Sequence, residues 1–250
     1  MYIDTLQYCE KCQHWCGKRE TCDECGTITV AKKVPKRRAD YYFIDGVEEP
    51  LVSVTTIINI INKPFLVGWA AREAAKAALR NPLLSIQEAA SSCYKIRDKA
   101  GNVGSDVHRI IDFSSRGGTY DKTKMTERVR KYIEAYENCQ ATLQPEVLFA
   151  EQEVYSRTHL YAGQLDRIAK LKDGLIWLLD FKTSKTLSNE TALQLVAYKV
   201  AVEEIGLTKI DKMGAIHLRA DGTYAFHEFQ GDFEVFLACK KVWQWAKMGG

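Results

Sequence analysis

The chain has 250 residues, of which 46% are hydrophobic and 27% are charged, as in a soluble globular protein that buries a full core. Its formal net charge of +3 is too small to indicate nucleic-acid binding by itself. No apolar run reaches the roughly 18 residues of a membrane span, and the N-terminus shows no secretory signal, so we expect a cytoplasmic protein with no membrane partner.

Cysteines are concentrated near the N-terminus, where five of the eight lie between residues 9 and 25. Cys9-x-x-Cys12 followed by Cys22-x-x-Cys25 is the spacing of two tight turns that present four thiolates to one tetrahedral ion. Structural Zn²⁺ is the favoured interpretation, and redox-active or free thiols are the alternative. A unit this short needs the metal in order to fold.

A basic segment and a series of helices follow the cysteine-rich unit. The run AKKVPKRR ends at residue 38, and YYFIDGVEEPLVSV is predicted to form a short hairpin that turns at Asp45-Gly46. Capping residues, prolines and apolar periodicity then predict helices over residues 53–61, 65–79, 86–113 and 124–143. Gly101 and Gly104 are expected to interrupt the third of these helices.

The pattern changes from helical to strand-like after Pro145. LFAEQEVYSR, HLYAGQLDRIAKLK and LIWLLDFKT are predicted to be three successive strands, and the Asp-Gly pair at 173–174 joins the last two as a hairpin. A helix over about 188–206 follows, then two strands that turn at 221–222, and a final helix over about 233–247. The prediction is a mixed α/β domain whose sheet lies in the C-terminal half.

Acidic residues occur in each of the three successive strands. Asp180 and Lys182 lie two positions apart at the end of an apolar strand, so their side chains point to the same side. A salt bridge at a strand end explains this pair equally well when it is taken alone. Asp166 lies in the preceding strand, and Glu151 and Glu153 lie in the strand before that. If these strands are neighbours in one sheet, Asp166, Asp180 and one glutamate can converge.

Converging carboxylates would repel each other and bind protons unless a cation neutralised them. Their hard oxygen ligands suit Mg²⁺ or Mn²⁺ better than zinc. Lys182 beside them could orient a metal-bound water and offset the charge that develops on a phosphate. The following apolar helix carries Gln194 and Tyr198 on one stripe, where Gln194 could bind Lys182 or a substrate phosphate. An amide satisfied by backbone groups is the alternative.

The order of these residues resembles the PD-(D/E)XK nuclease superfamily, in its RecB-like and phage-exonuclease branch. That branch also carries a G-x-x-x-H motif on a helix before the sheet, which GSDVHRIID provides with Gly104 and His108. The segment TTIINIINKPFLVGWA is similar to that of viral members, although the proline of the superfamily's name is absent before Asp166. Along the sheet and the following helix, the matching residues are Glu151, Asp166 at the end of AGQLD, Asp180-Phe181-Lys182 and Gln194-x-x-x-Tyr198.

The resemblance implies an α/β fold with a PD-(D/E)XK, restriction-endonuclease-like core, in which helices flank a mixed sheet. This nuclease domain would occupy residues 39–250, with a helical region at 53–143 and the catalytic sheet and helices at 146–250. Residues 1–38 would form a small zinc-ribbon module with four cysteine ligands, followed by a basic linker.

The resemblance also implies a role for individual residues. Glu151 is preferred to Glu153 because the E-x-x-V-Y spacing is similar to that of phage members. The implied Mg²⁺ or Mn²⁺ ligands are His108, Glu151, Asp166, Asp180 and the Phe181 backbone carbonyl. Catalysis is expected to depend on Glu151, Asp166, Asp180, the catalytic lysine Lys182, Gln194 and Tyr198.

The implied activity is that of a Mg²⁺- or Mn²⁺-dependent deoxyribonuclease, foremost an exonuclease in the DNA processing, recombination or replication of a virus or mobile element. A viral protein would act in the host cytoplasm. The alternatives are an endonuclease of the same superfamily and a non-catalytic DNA-binding or recombination scaffold that retains the fold.

Some RecB-like nucleases hold an iron–sulphur cluster through one cysteine upstream and three downstream of the nuclease motifs. Here Cys239 alone lies downstream, so zinc remains the preferred ion for the N-terminal cysteines. With the basic run behind it, this module could contact DNA phosphates or replication and recombination proteins.

Overall fold

The computed structural model describes residues 5–9, 14–15, 30–33, 41–44, 47, 50–61 and 63–248. Contacts within the chain define two units, Met1–Leu51 and Val52–Gly250. The domain boundary predicted after residue 38 falls inside the first of these units and stays a prediction. The predicted turn at Asp45-Gly46 lies outside the described residues.

In the described part of the first unit, short strands form an antiparallel sheet in the order β2-β1-β3. The strands of this unit are β1 (Thr5–Cys9), β2 (His14–Trp15), β3 (Val30–Lys33) and, outside that sheet, β4 (Tyr41–Tyr42). Cys9 pairs with His14 across β1 and β2. The other predicted zinc ligands, Cys12, Cys22 and Cys25, lie outside the described residues, so the zinc site stays a prediction.

Helices dominate the first half of the second unit. They are α1 (Val54–Ile58), α2 (Pro64–Arg80), α3 (Ile86–Ser115), a short 3-10 helix (Lys122–Lys124) and α4 (Glu127–Leu143). The predicted cap of α1 is confirmed, because Ser53 Oγ accepts a hydrogen bond from the Thr56 backbone amide at 3.0 Å. Helix α1 ends at Ile58, three residues before its predicted end.

The prediction that Gly101 and Gly104 interrupt a helix was wrong, because α3 is continuous through both. A capping box between Ser85 and Glu88 fixes its first turn. Packing of the C-terminal part of α3 stabilises the helix by more than the cost of about 1 kcal/mol for each helical glycine. Gly104 also permits a close approach, since a Cβ there would lie 3.1 Å from Thr183 Oγ1.

The second half of this unit forms the sheet, and the predicted mixed α/β fold is confirmed. Strands follow the order β10-β9-β8-β7-β5, and β6 pairs with β7. The β8–β9 and β5–β7 pairs are parallel, whereas β6–β7, β7–β8 and β9–β10 are antiparallel. The elements are β5 (Leu51–Ser53), β6 (Glu146–Ser156), β7 (Tyr161–Lys170), β8 (Ile176–Lys182), α5 (Glu190–Glu204), β9 (Lys212–Leu218), β10 (Tyr224–Phe229) and α6 (Phe233–Met248).

Helices lie on both sides of β8. Phe181 packs with Tyr136 of α4, whereas the adjacent Asp180 contacts Gln194 of α5. Because successive strand residues point to opposite sides, α4 and α5 cover opposite sides of this strand. Among the described helices, none combines the length and the apolar composition that a membrane crossing requires.

Strands β7 and β8 separate where their aspartates lie. Their pairing runs from Lys170 opposite Ile176 to Arg167 opposite Leu179 and stops there. Asp166 and Asp180 are therefore the first residues beyond the paired region. The first two residues of β7 pair with β5 instead. This divergence leaves room for polar side chains between two otherwise buried strands.

Candidate metal centre

Three potential metal ligands come together from α3, β6 and β7. One ligand atom from each of His108, Glu151 and Asp166 lies within 4.8 Å of the other two. His108 Nδ1 lies 3.5 Å from Asp166 Oδ1. An imidazole with two carboxylates is a donor set that suits Mn²⁺ and Mg²⁺.

Of the two glutamates considered for β6, the structure places Glu151 in this group and Glu153 outside it. The backbone of Glu151 has φ of 50°, a left-handed conformation that is uncommon for a residue other than glycine. Gln164 of β7 donates a hydrogen bond to Glu151 Oε2 at 2.8 Å and lies 3.2 Å from the Glu151 carbonyl oxygen. Gln164, to which the sequence analysis assigned no role, thus holds this carboxylate.

Asp166 is held by the next strand. The Phe181 backbone amide donates a hydrogen bond to Asp166 Oδ2 at 2.7 Å, which bridges the gap where β7 and β8 separate. Burial by itself would raise the pKa of Asp166, but the neighbouring His108 and Lys182 together hold that pKa below its ordinary value. Asp166 is therefore ionised and available as a ligand.

A second polar cluster lies beside this group and joins β8 to α5. Lys182 Nζ lies 2.8 Å from Asp180 Oδ2 and donates a hydrogen bond to Gln194 Oε1 at 3.0 Å. Gln194 Nε2 in turn donates to Asp180 Oδ1 at 3.1 Å and approaches Tyr198 Oη at 3.4 Å. Gln194 therefore bridges Lys182 and Asp180. Of the two alternatives that the sequence left open, this is the one in which Gln194 binds Lys182 rather than backbone groups.

The electrostatics of the two clusters indicate an excess of negative charge. Burial, with Asp166 nearby, raises the pKa of Glu151 to about 7. Burial also raises the pKa of Asp180 to about 6, although Lys182 opposes that shift. The charge of Asp166 raises the pKa of His108 to about 9. These shifts all favour the more positive form of each group, so a divalent cation among them would be stabilised by the same excess of negative charge.

The donors present fit such a cation. Asp180 has only 3% of its side chain exposed, and its Oδ2 accepts no hydrogen bond of good geometry although Lys182 Nζ is close. A buried carboxylate oxygen is costly unless a cation or a donor binds it, and here the Lys182 ammonium is that partner. Together with the group of His108, Glu151 and Asp166, Asp180 provides oxygen and nitrogen ligands of the kind that Mg²⁺ and Mn²⁺ accept.

The glycine of the AGQLD segment has a role that the sequence did not reveal. A Cβ at Gly163 would lie 2.4 Å from Tyr198 Cε1, well inside van der Waals contact. Only glycine therefore lets the Tyr198 ring approach β7 and present its hydroxyl to Gln194. The sequence did contain one indication of this contact, because a glycine in the middle of a strand often marks such a close approach.

Sequence reasoning also missed Arg167, whose side chain is almost fully buried, with 1% of the residue exposed. Its guanidinium lies 4.9 Å from the Phe181 ring centroid and 5.6 Å from that of Tyr136. It donates hydrogen bonds to the hydroxyls of Ser115 and Tyr136. The Phe181 backbone amide also donates a hydrogen bond to Asp166. Because Arg167 packs against the Phe181 ring, it supports the candidate site indirectly.

Comparison with known proteins gives one informative result. A family model described as the PD-(D/E)XK nuclease superfamily matches residues 88–237, which is more than half of the chain. Among the solved structures that match, the crystal structure of SSO0001 shares 13% sequence identity with a TM-score of 0.37, covering 80% of this chain and 78% of the other. None of the curated proteins compared with the chain matches it significantly.

Proposed function

Because this chain belongs to the PD-(D/E)XK nuclease superfamily, we propose that it hydrolyses phosphodiester bonds of DNA with the help of Mg²⁺ or Mn²⁺. The observation that carries this proposal is the convergence of His108, Glu151 and Asp166 beside the Asp180–Lys182 pair. Residues far apart in the chain form one compact polar site where two buried strands diverge.

His108, Glu151, Asp166 and Asp180 would hold the metal, with the Phe181 carbonyl as a further ligand. When bound, the ion would activate water and stabilise the charge that develops on the scissile phosphate. Within the polypeptide, His108 and Glu151 must give up their protons before they can act as ligands, since their pKa values are raised to about 9 and about 7. Metal binding is therefore expected to release protons.

Lys182 would act as a fixed positive charge. Burial alone would lower its pKa, but Asp180 and Asp166 raise that pKa above the ordinary value, so the amine stays protonated at neutral pH. Contacts with Asp180 and Gln194 hold Nζ in place. A protonated lysine in this position can donate hydrogen bonds to a water molecule or a phosphate oxygen, rather than accept a proton.

We favour an exonuclease that acts in the cytoplasm, in the DNA processing, recombination or replication of a virus or mobile element. The support is the order of the motifs, from G-x-x-x-H at His108 to Gln194-x-x-x-Tyr198, which is similar to the RecB-like and phage branch. An endonuclease of the same superfamily is the closest alternative. A non-catalytic scaffold is less favoured, because Lys182 and the carboxylates beside it remain in place.

Three DNA substrates distinguish these possibilities. Linear duplex labelled at the 5′ end, the same duplex labelled at the 3′ end, and closed circular DNA should be incubated with Mg²⁺, with Mn²⁺ or with EDTA. We expect metal-dependent loss of linear DNA while the circles persist. Nicked circles would indicate an endonuclease, and intact substrates in every condition would favour the scaffold. Lys182→Met protein purified in parallel controls for contaminating nucleases.

The N-terminal cysteines would hold one structural zinc ion in a ribbon that contacts DNA or replication and recombination proteins. The Cys9, Cys12, Cys22 and Cys25 spacing supports this, as does the antiparallel pairing of Cys9 with His14. Purified protein should be colourless and carry about one zinc ion per chain. A brown protein that absorbs visible light would indicate an iron–sulphur cluster instead.

A further inference from the structure

Helix α3 extends well beyond the candidate metal centre as part of an exposed helical hairpin. Helix α2 packs against α3, and none of the residues along α2 is buried. In the first half of α3, the buried residues are Ala89 and Cys93. We call residues 64–102 the arm. Its sequence contains six basic and three acidic residues, so the arm carries a net positive charge.

One stripe of α3 connects the arm to the candidate metal centre. His108, Gly104, Gly101, Arg97 and Tyr94 follow each other at alternating spacings of four and three residues. On an ideal helix these positions lie within about 40° of His108 on either side, which is a stripe about 80° wide around the axis. At about 1.5 Å per residue, the stripe from His108 to Tyr94 is roughly 21 Å long.

The far end of the stripe presents an aromatic ring and a cation to solvent. Tyr94 is 56% exposed, and the Arg97 guanidinium lies 5.1 Å from its ring centroid. Arg97 also pairs with Asp98 at 2.9 Å, but both of those side chains are largely exposed. An exposed ion pair of this kind is worth little and yields readily to a phosphate.

Gly101, in the middle of the stripe, has no packing reason to be glycine. Among the residues that the structure describes, none would lie within 4 Å of a Cβ at this position, and glycine costs a helix interior about 1 kcal/mol relative to alanine. Glycine is favoured where the protein backbone lies close to a ligand. The open surface at Gly101 is therefore an independent sign that something lies along the stripe.

We propose that the open part of the stripe, from Tyr94 to Gly101, is a track that guides one single strand of DNA toward the metal centre, which the strand reaches past Thr183 beside Gly104. Arg97 binds a backbone phosphate, a base stacks on the Tyr94 ring, and the strand passes over Gly101. A single strand fits better than a duplex, because the bases of a duplex do not offer their faces to a side chain. This inference rests on the proposed nuclease function.

Binding measurements with a matched pair of cations test the track. Lys99 is exposed like Arg97 but lies on the opposite side of α3, at about 180° from His108 on an ideal helix. Anisotropy of a labelled thymidine 20-mer should be measured in EDTA with Asp180→Asn protein, so that cleavage plays no part. Arg97→Ala should weaken binding about 3- to 10-fold and reduce the salt slope by about 1, whereas Lys99→Ala should change affinity less than about twofold.

Stacking is tested by a second matched pair, since Ile96 is exposed near Tyr94 but off the stripe. Binding should quench a 2-aminopurine base placed in the oligonucleotide. Tyr94→Ala should abolish that quenching and weaken affinity about tenfold, and Ile96→Ala should preserve both.

Equal losses of affinity in Arg97→Ala and Lys99→Ala would overturn the track, as would quenching that survives Tyr94→Ala or tighter binding of duplex than of single strand. These outcomes leave the nuclease proposal intact if the wild-type protein still binds and cleaves DNA. If the wild-type protein neither binds DNA nor cleaves it with Mg²⁺ or Mn²⁺, both proposals fail together.

Discussion

The two sides of strand β8 both bury charge, but they compensate for it in different ways. On the α5 side, Asp180 and Lys182 face each other, with Gln194 bridging them. On the α4 side, the Arg167 guanidinium lies between the Phe181 and Tyr136 rings and donates to hydroxyls. None of the ion pairs found among the described residues includes Arg167.

The difference shows that burial of charge does not by itself identify a catalytic site. On the α5 side, opposite charges share the site, since Lys182 Nζ lies 2.8 Å from Asp180 Oδ2. That side can exchange protons for a metal ion. On the α4 side, the positive charge of Arg167 cannot be removed at any ordinary pH, and its neighbours are rings and hydroxyls. The first side is therefore the candidate for chemistry, and the second stabilises the fold.

The largest effect is expected from Asp180→Asn, on the α5 side. The change keeps the shape of the side chain but removes a ligand charge, so cleavage should fall by about 10³-fold or more, while melting in EDTA should stay the same or rise. Single-turnover cleavage and thermal melting measure the two quantities. Glu228→Gln, which changes an exposed carboxylate on β10, is the matched control. Cleavage by Asp180→Asn at a near wild-type rate would remove Asp180 from the site.

Substitution of Arg167 on the α4 side should act on stability. Arg167→Ala leaves a cavity and deprives Tyr136 and Ser115 of a donor, so the free energy of unfolding should fall by about 3 kcal/mol in urea titrations. Arg167→Met fills more of the space and should lose less. The Mg²⁺ dependence of cleavage by the folded Arg167→Met protein should be unchanged. A shifted Mg²⁺ dependence at full stability would instead assign Arg167 to the site.

Gly163→Ala tests how closely the Tyr198 ring must approach β7. The added methyl would overlap the ring, so we expect a loss of about 1–3 kcal/mol in unfolding free energy and slower cleavage, because Gln194 loses its neighbour. Gly68→Ala in α2 adds the same methyl where the nearest atom is Arg72 Nη1 at 3.5 Å, and it should stabilise by up to about 1 kcal/mol. Equal effects of the two substitutions would contradict this account.

The smallest effect is a pH dependence of the metal-free protein. Asp180 and Glu151 have folded-state pKa values raised to about 6 and about 7, above those of an unfolded chain. Their contribution to stability is therefore full below about pH 4 and is lost as pH rises through 6 and 7. The melting temperature in EDTA should fall by a few degrees between pH 5 and pH 8.

Two comparisons isolate this contribution from that of other groups. Asp180→Asn should show a shallower decline of melting temperature with pH than the parent protein. Added Mn²⁺ should stabilise the parent more at pH 8 than at pH 5, because the metal competes with protons for the same oxygens. Parallel curves for the parent and Asp180→Asn would show that Asp180 does not titrate in this range.

Local patterns in the sequence were sufficient for part of the structure. Alternation placed Asp180 and Lys182 on one side of a strand, and helical spacing placed Gln194 near Tyr198, because both depend on short-range geometry. The superfamily's motif order pointed to His108, but its contact with Asp166 depends on how α3 meets the sheet. The support given by Arg167 depends on α4, and local patterns do not encode that packing.

The choice between Glu151 and Glu153 shows another limit. Both glutamates lie on one side of an ideal strand, so alternation alone could not separate them. The left-handed backbone at Glu151 breaks that regularity, and the hydrogen bond from Gln164 fixes its carboxylate. A bulge earlier in β6, between Val147 and Phe149, shifts the register as well. Such irregularities arise from pairing between strands.

The pairing of β5 with β7 affects when the candidate site can form while the chain is being synthesised. Val52 and Tyr161, which are partners in this pair, are separated by more than a hundred positions, and closing so long a loop is slow compared with helix formation. The residues of the site are spread from His108 to Tyr198, so no nascent fragment that ends earlier contains them all. A cell that translates this chain is therefore exposed to the complete site only after the ribosome has passed Tyr198 and the loop has closed.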